Sequence, residues 1–286
     1  MTVNEAGFTR FAAIDWSGAK GSRHKGIAIA CCRTDGGAPE LVEPARIWSR
    51  RQVLEWVRGC TAGPERWLIG FDFSFAPPWV ERGCYLPGEK LPDTAKSFWA
   101  YVDACSQDED LGAASFLEQA HRRHFYFGAA DGRKADFMHF RQCEHSFNAC
   151  GGGKASTVFD AIGAAQVAKA SFAGMRLLHH LGDALPIWPF DALQPGKSAV
   201  VEIYCRAFLR LAGGRGLKLR NVGALNTALA ALGSPPMPPG DYNDHQTDVL
   251  VASAGLRHIA VDSRWWNPAG LDPGIARTEG WTFGVG

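Results

Sequence analysis

The chain has 286 residues, 46% hydrophobic and 21% charged, an ordinary globular composition with ample material for a core. Its 30 basic and 29 acidic residues leave a net charge of +1, and no basic stripe is concentrated anywhere, which argues against tight, unspecific binding of duplex nucleic acid while leaving room for a local groove. Met1 to Arg10 is polar, no run approaches a membrane span and the eight cysteines follow no C-x-x-C pattern, so the expectation is a cytoplasmic protein with reduced thiols and no membrane partner.

In chain order, Phe11 to Asp15 is a short apolar run that ends in Asp, followed by Trp16, Ser17 and Gly18. It reads as a buried strand with a polar exit and a glycine-containing turn. Gly26 to Cys32 is a second strand, its hairpin partner, and a less regular third falls between Leu41 and Trp48. Val53, Trp56 and Val57 stand at helical spacing within Arg51 to Cys60. Trp67 to Asp72 repeats the opening design, and Pro77 and Pro78 must then leave the sheet because proline cannot extend a ladder.

If the first and fourth strands are parallel neighbours, Asp15 and Asp72 emerge side by side at the carboxyl edge, where open α/β sheets bind ligands. Two adjacent carboxylates repel unless a cation neutralises them. Mg²⁺ or Mn²⁺ is the economical partner, since hard cations take oxygen ligands. Taken singly, either Asp is equally a turn residue bonding its own loop.

From about Leu91 to Leu181 helical spacing dominates, near 94–105, 112–123, 135–147 and 162–182. Residues 91–182 therefore read as a helical insertion or cap above the sheet edge. Gly151 to Lys154 invites a phosphate-loop reading, but the G-x-x-x-x-G-K-[ST] pattern is not met, and a loop near the pocket is the simpler expectation. His121, His124, His139, Cys143, His145 and Cys150 match none of the tight structural zinc spacings. Arg141 and Glu144 are one turn apart, a surface ion pair unless a pocket lets Arg141 hold a phosphate.

Ile187 to Phe190 and Ala199 to Tyr204 look like two strands around a Pro-Gly loop. Glu202 is either a fourth carboxylate at the site or a solvent-facing residue. Helices follow at 208–211 and 224–232, then the proline-rich linker Ser234 to Gly240. It delivers the stretch from Asn243 to Ala254, apolar at helical spacing from Val249 onward, with Asn243 or Asp244 as N-cap. Asp244, His245 and Asp248 share one face of that helix, and Ala252 lets it sit close to a sheet. Carboxylates also favour a helix N-terminus without any further role. The tail, 262–286, shows no periodicity and reads as an irregular surface wrap. The whole chain, 1–286, reads as a single domain.

The order of these elements resembles the ribonuclease H-like fold. The segments AID at 13–15, GIAI at 26–29 and HQTDVLVA at 245–252 are similar to the bacterial Holliday-junction resolvases. More closely, IDWSG at 14–18, GFDFSF at 70–75, VEIY at 201–204 and DHQTD at 244–248 resemble the family called domain of unknown function four hundred and twenty-nine, regarded as nuclease-like. Arg141-x-x-Glu144 also resembles a pattern of that family, whereas Cys205 stands where the family often has proline. The resemblance touches nearly the whole chain through short motifs. It implies an α/β fold with a mixed five-stranded sheet, order 3-2-1-4-5, flanked by helices. It also implies an acidic triad of Asp15, Asp72 and Asp248 supported by Glu202 and His245. The helical middle is not shared with the resolvases, so their four-way-junction substrate is not inherited.

The functional expectation is a divalent-metal-dependent nuclease or phosphodiesterase acting on nucleic acid or a nucleotide. Asp15, Asp72 and Asp248 would hold Mg²⁺ or Mn²⁺, with Asp15 bridging two ions. His245 would shuttle a proton or merely pair with Asp244, while Ser17, Lys20 and Arg141 would contact substrate, with Arg23 and Lys25 attracting its phosphate. Two rivals stand beside it. One is an ATP-binding, actin-like phosphotransferase, whose first phosphate loop is loosely echoed by Asp15-x-x-Gly18 with Lys20. The other is a non-catalytic protein that binds a ligand or partner.

Overall fold

The computed structural model describes residues 7–162, 167–214 and 218–286. Six strands form one mixed sheet: β1 (Arg10–Asp15), β2 (Ala28–Arg33), β3 (Glu40–Leu41), β4 (Trp67–Asp72), β5 (Ile187–Trp188) and β6 (Ala199–Glu202). Their spatial order is β3-β2-β1-β4-β6-β5. β2 runs antiparallel to β1 and β3, while β1, β4, β6 and β5 are mutually parallel. The five-strand order 3-2-1-4-5 therefore requires correction. A sixth, two-residue strand lies outside β6 at the edge, pairing Ile187 with Val200 and Trp188 with Val201. It stops at Pro189, which has no N–H to give to a ladder. The third strand is likewise shorter than expected, because Glu43 turns into the left-handed region at φ 45° and Pro44 follows.

Period-two alternation divides the core between the two faces of the sheet. Ala12, Ile14, Ile69, Phe71 and Val200 point to one side, where helices α1 (Arg50–Ala62), α2 (Ala95–Cys105) and α4 (Val167–Leu181) cover them. Phe11, Ala13, Leu68 and Val201 point to the other, against α5 (Cys205–Leu211), α6 (Val222–Ala231) and α7 (Asp244–Ile259). Residues 91–182 thus contribute two core-facing helices, α2 and α4, as well as material above the sheet edge. The expected helices at 112–123 and 135–147 are broken into a π-helical turn at 116–120, short 3₁₀ turns at 122–124 and 134–137, and α3 (Gln142–Ala149). Gly128 and Gly132 adopt φ values of 147° and 105° between them, open to glycine alone at low cost. Part of the helix expected at 162–182 falls on residues 163–166, outside the described residues.

α7 starts as its sequence suggests. The Asn243 side chain accepts from Gln246 N–H and the Gln246 side chain accepts from Asn243 N–H, a reciprocal cap. It lies across β1 and β2, with Ala252 fully buried in the contact. The tail is less irregular than expected. It forms α8 (Pro273–Thr278), buries Trp281 and Phe283, and donates Phe283 N–H to Glu202 O at 2.8 Å beside β6. No helix among the described residues is long and apolar enough to cross a membrane. All eight cysteines are free thiols.

Gly70 in β4 leaves no room for a side chain between Ile203 and Leu256 of α7. A Cβ there would stand 2.6 Å from Ile203 and 2.9 Å from Leu256. Gly70→Val is expected to lower stability by about 1–3 kcal/mol through overpacking, read as a lower urea midpoint with unchanged m-value.

Candidate active site at the carboxyl edge of the sheet

β1 and β4 pair in register, so that Asp15 and Asp72 are direct Cα partners at the last step of the ladder. Both side chains open into a pocket of about 490 Å³ at the C-terminal ends of the parallel strands. That volume lies within the range of small-molecule sites. α7 adds Asp244, His245 and Asp248 to its wall, and the loop after β1 adds Trp16, Ser17 and Gly18. Gly18 is required by close approach, since a Cβ there would lie 2.2 Å from the backbone of Ala170 in α4. Apolar groups in the lining include Phe73, Phe147 and Val285, and Phe147 meets Tyr204 edge-on at 5.3 Å.

The acids are electrostatically coupled. Asp72 is half-buried at the end of β4, and its carboxyl is held well above the usual range by burial first and by Asp15 next. The Cys205 thiol and backbone N–H both bond it and partly offset this shift, as a proline at 205, lacking an N–H, would not. Asp248 is pushed up to about 6, again by burial and then by Asp15, against the opposing charges of His245 and Lys218. Asp15 is thus the strongest charged neighbour of both other acids. His245 Nδ1 lies 2.6 Å from Asp15 Oδ2, and this hydrogen bond holds the imidazole pKa above its ordinary value.

The three aspartates do not form a tight set for one shared ion. Among the described residues, the trio of potential ligands whose donor atoms all lie within 4.8 Å of one another is Glu89, His121 and His124, elsewhere in the molecule. An all-oxygen set of carboxylates is of the donor type that hard divalent cations take.

Other residues named from the sequence have different surroundings. Glu202 is buried, and its carboxylate accepts from Phe75 N–H, the Thr282 hydroxyl and Arg141. Arg141 is not on the surface. All five of its guanidinium N–H groups are spent inside the protein, on Glu144, Glu202 and the carbonyl of Glu279. No donor remains to take a phosphate, so Arg141 and Glu202 brace the pocket floor. Lys20 pairs with Glu118 at 2.7 Å and does not line the pocket. Arg23 bonds the Ile47 carbonyl, and Lys25 lies by a separate small cleft. Ser17 lines the pocket, its Oγ accepting from Ala19 N–H at 3.3 Å. The glycine-rich segment supplies Ala155 and Ser156 to the rim.

Sequence reasoning missed Lys218, whose ammonium pairs with Asp244 at the pocket mouth. It also missed Cys205 beneath Asp72 and the tail residues Glu279 and Thr282. Glu279 is fully buried and accepts from the backbone N–H groups of Val80 and Gln142. No local pattern marks these residues, because each meets its partner only across the fold.

The fold and site define an α/β protein with a carboxylate-lined pocket at the switch between parallel strands. No family model, curated protein or solved structure matches the chain.

Two outcomes follow from this charge arrangement. Arg141→Met would leave Glu144 and Glu202 buried without their cation and is expected to cost about 3–5 kcal/mol by chemical denaturation. Asp248 has a folded pKa above its unfolded value, so the metal-free protein binds protons more tightly when folded. Its stability should fall as pH rises from about 4 to about 6, and the raised Asp72 carboxyl adds to the fall in the same direction. Asp248→Asn should weaken this dependence between about pH 4 and 6, leaving the part due to Asp72, and raise stability at pH 8 by on the order of 1–3 kcal/mol, measured in EDTA.

Proposed function

We propose that the pocket hydrolyses phosphodiester bonds with divalent metal ions, acting on a nucleotide or on a nucleic-acid strand end small enough to enter it. The observation that carries this reading is the in-register placement of Asp15 beside Asp72, with Asp248 raising the local negative charge further. Such a cluster is costly in isolation and favourable around cations. The resemblance of the strand-end and α7 motifs to nuclease-like ribonuclease H-like proteins points the same way.

Asp15, Asp72 and Asp248 would hold Mg²⁺ or Mn²⁺, which when bound supplies charge neutralisation and an activated water. The protein's own groups then set the rest. Trp16, Phe73 and Phe147 offer apolar surface for a base or sugar and exclude water around it. Lys218, the cation at the mouth, favours an anionic substrate. His245 is oriented through Nδ1 by Asp15 and is favoured in its charged form, which keeps Nε2–H as a second donor. As water oxygen bonds to phosphorus and gives its proton to solvent, the opposite P–O bond breaks and the departing oxygen takes the proton from Nε2, which solvent then restores.

A second reading, a protein that binds a small ligand without catalysis, draws on the spacing of the aspartates, too wide for one ion shared by all three. One experiment separates the two. Full-length protein is incubated with Mn²⁺ and either bis-p-nitrophenyl phosphate or a labelled single-stranded oligonucleotide. Hydrolysis should require Mn²⁺, vanish in Asp15→Asn with an unchanged circular dichroism spectrum, and drop about 100-fold or more in His245→Ala. It should also weaken below about pH 6, where Asp248 takes up a proton. Absence of turnover, with Mn²⁺ binding equal in wild type and Asp15→Asn, would sink the hydrolase reading.

A further inference from the structure

A second cluster of ligating side chains lies outside this pocket. Its geometry follows from the broken helix at 112–124. His121 caps the π-helical turn, donating its backbone N–H to Phe116 O at 3.0 Å, and His124 follows three residues later in a 3₁₀ turn. Side chains three apart in a 3₁₀ turn eclipse, so both imidazoles face the same way, with ring centroids 6.2 Å apart. Glu89, from the loop after β4, meets them. Its Oε1 is 3.1 Å from His124 Nε2 and 3.8 Å from His121 Nδ1. One ligand atom from each of the three residues lies within 4.8 Å of the other two.

Each histidine presents the nitrogen that ligation needs. The His121 side chain is only 5% exposed, packed on Phe116, with its Nε2 3.0 Å from the Tyr101 hydroxyl. Its Nδ1 faces Glu89, is buried and has no hydrogen-bond partner. A buried polar atom without a partner is costly and calls for an explanation. His124 Nε2 lies 3.1 Å from Glu89 Oε1 and 3.2 Å from Arg123 Nε, so this nitrogen faces the carboxylate and becomes a ligand on losing its proton. The Arg123 side chain is 65% exposed and also reaches Glu89 Oε1 at 2.6 Å. A cation therefore already sits against the carboxylate, on a side chain free to swing into solvent.

We propose that Glu89, His121 and His124 bind a divalent transition-metal ion, of which zinc best suits two imidazoles and one carboxylate, with water in the fourth position. Ligation gives His121 Nδ1 the partner it lacks. Tyr101 accepts from Nε2–H and fixes the tautomer, the usual support for a ligating histidine. The ion ties the loop after β4 to the segment around His121 and displaces Arg123. This site is independent of the carboxylate pocket, whose lining shares none of its residues.

The test uses full-length, EDTA-stripped protein carrying Asp15→Asn, so that the carboxylate pocket contributes little. Calorimetric titration with Zn²⁺ should show one equivalent bound, and Co²⁺ should give the intense visible absorption of a tetrahedral site. Glu89→Gln and His124→Asn should each weaken Zn²⁺ by about 100-fold or more. Arg123→Ala, which removes the competing cation, should tighten it and needs no buried substitution. Zn²⁺ binding that is absent in the Asp15→Asn protein, or unchanged across all three variants, would overturn the proposal and leave an ordinary ion-pair cluster.

Discussion

The parallel pairing of β1 with β4 is the constraint on which the site depends. Both strands are buried on two faces, and both end at the same rung with an aspartate. The ladder forces the carboxyls together, and the apolar neighbourhood that makes the strands stable also makes their charges expensive. The raised pKa of Asp72 is the direct expression of that conflict. α7 aggravates it with Asp248 and relieves part of it with His245, two residues on one helix face with opposite electrostatic effects. A site that resists being fully charged without a cation is one that a cation stabilises.

The arrangement survives because the polar groups below it are satisfied. Arg141, Glu144, Glu202 and Thr282 form a buried network in which Arg141 is bonded on every donor. Such networks define a unique geometry when complete and are destabilising when broken. This one gathers α3, the end of β6 and the C-terminal tail beneath the pocket. The tail is therefore part of the pocket's support.

Much of the sheet was legible because its strands carry the signal that burial demands. Continuous apolar runs ending in Asp at 15 and 72, the hairpin partner at 28–33 and the capped helix at 244–259 follow from local rules of periodicity and capping. A strand at Ile187 was legible, but its two-residue length and its edge position outside β6 were not, nor was the break-up of residues 112–149. A two-residue strand exists only through its neighbour β6, and short π and 3₁₀ turns are set by tertiary packing rather than by period.

The sequence by itself determined which residues lie on which face. The period-two alternation of β1 and β4, and the helical spacing of Asp244, His245 and Asp248, are properties of the covalent chain. Only the tertiary structure decided what those side chains meet. It turned Arg141 inward onto Glu202, set Cys205 beneath Asp72, brought Lys218 to the pocket mouth and joined Glu89 to His121 and His124. Those pairings cross from 26 to more than 130 residues of chain. Their energies come from burial and charge in the folded state, and no local pattern records them.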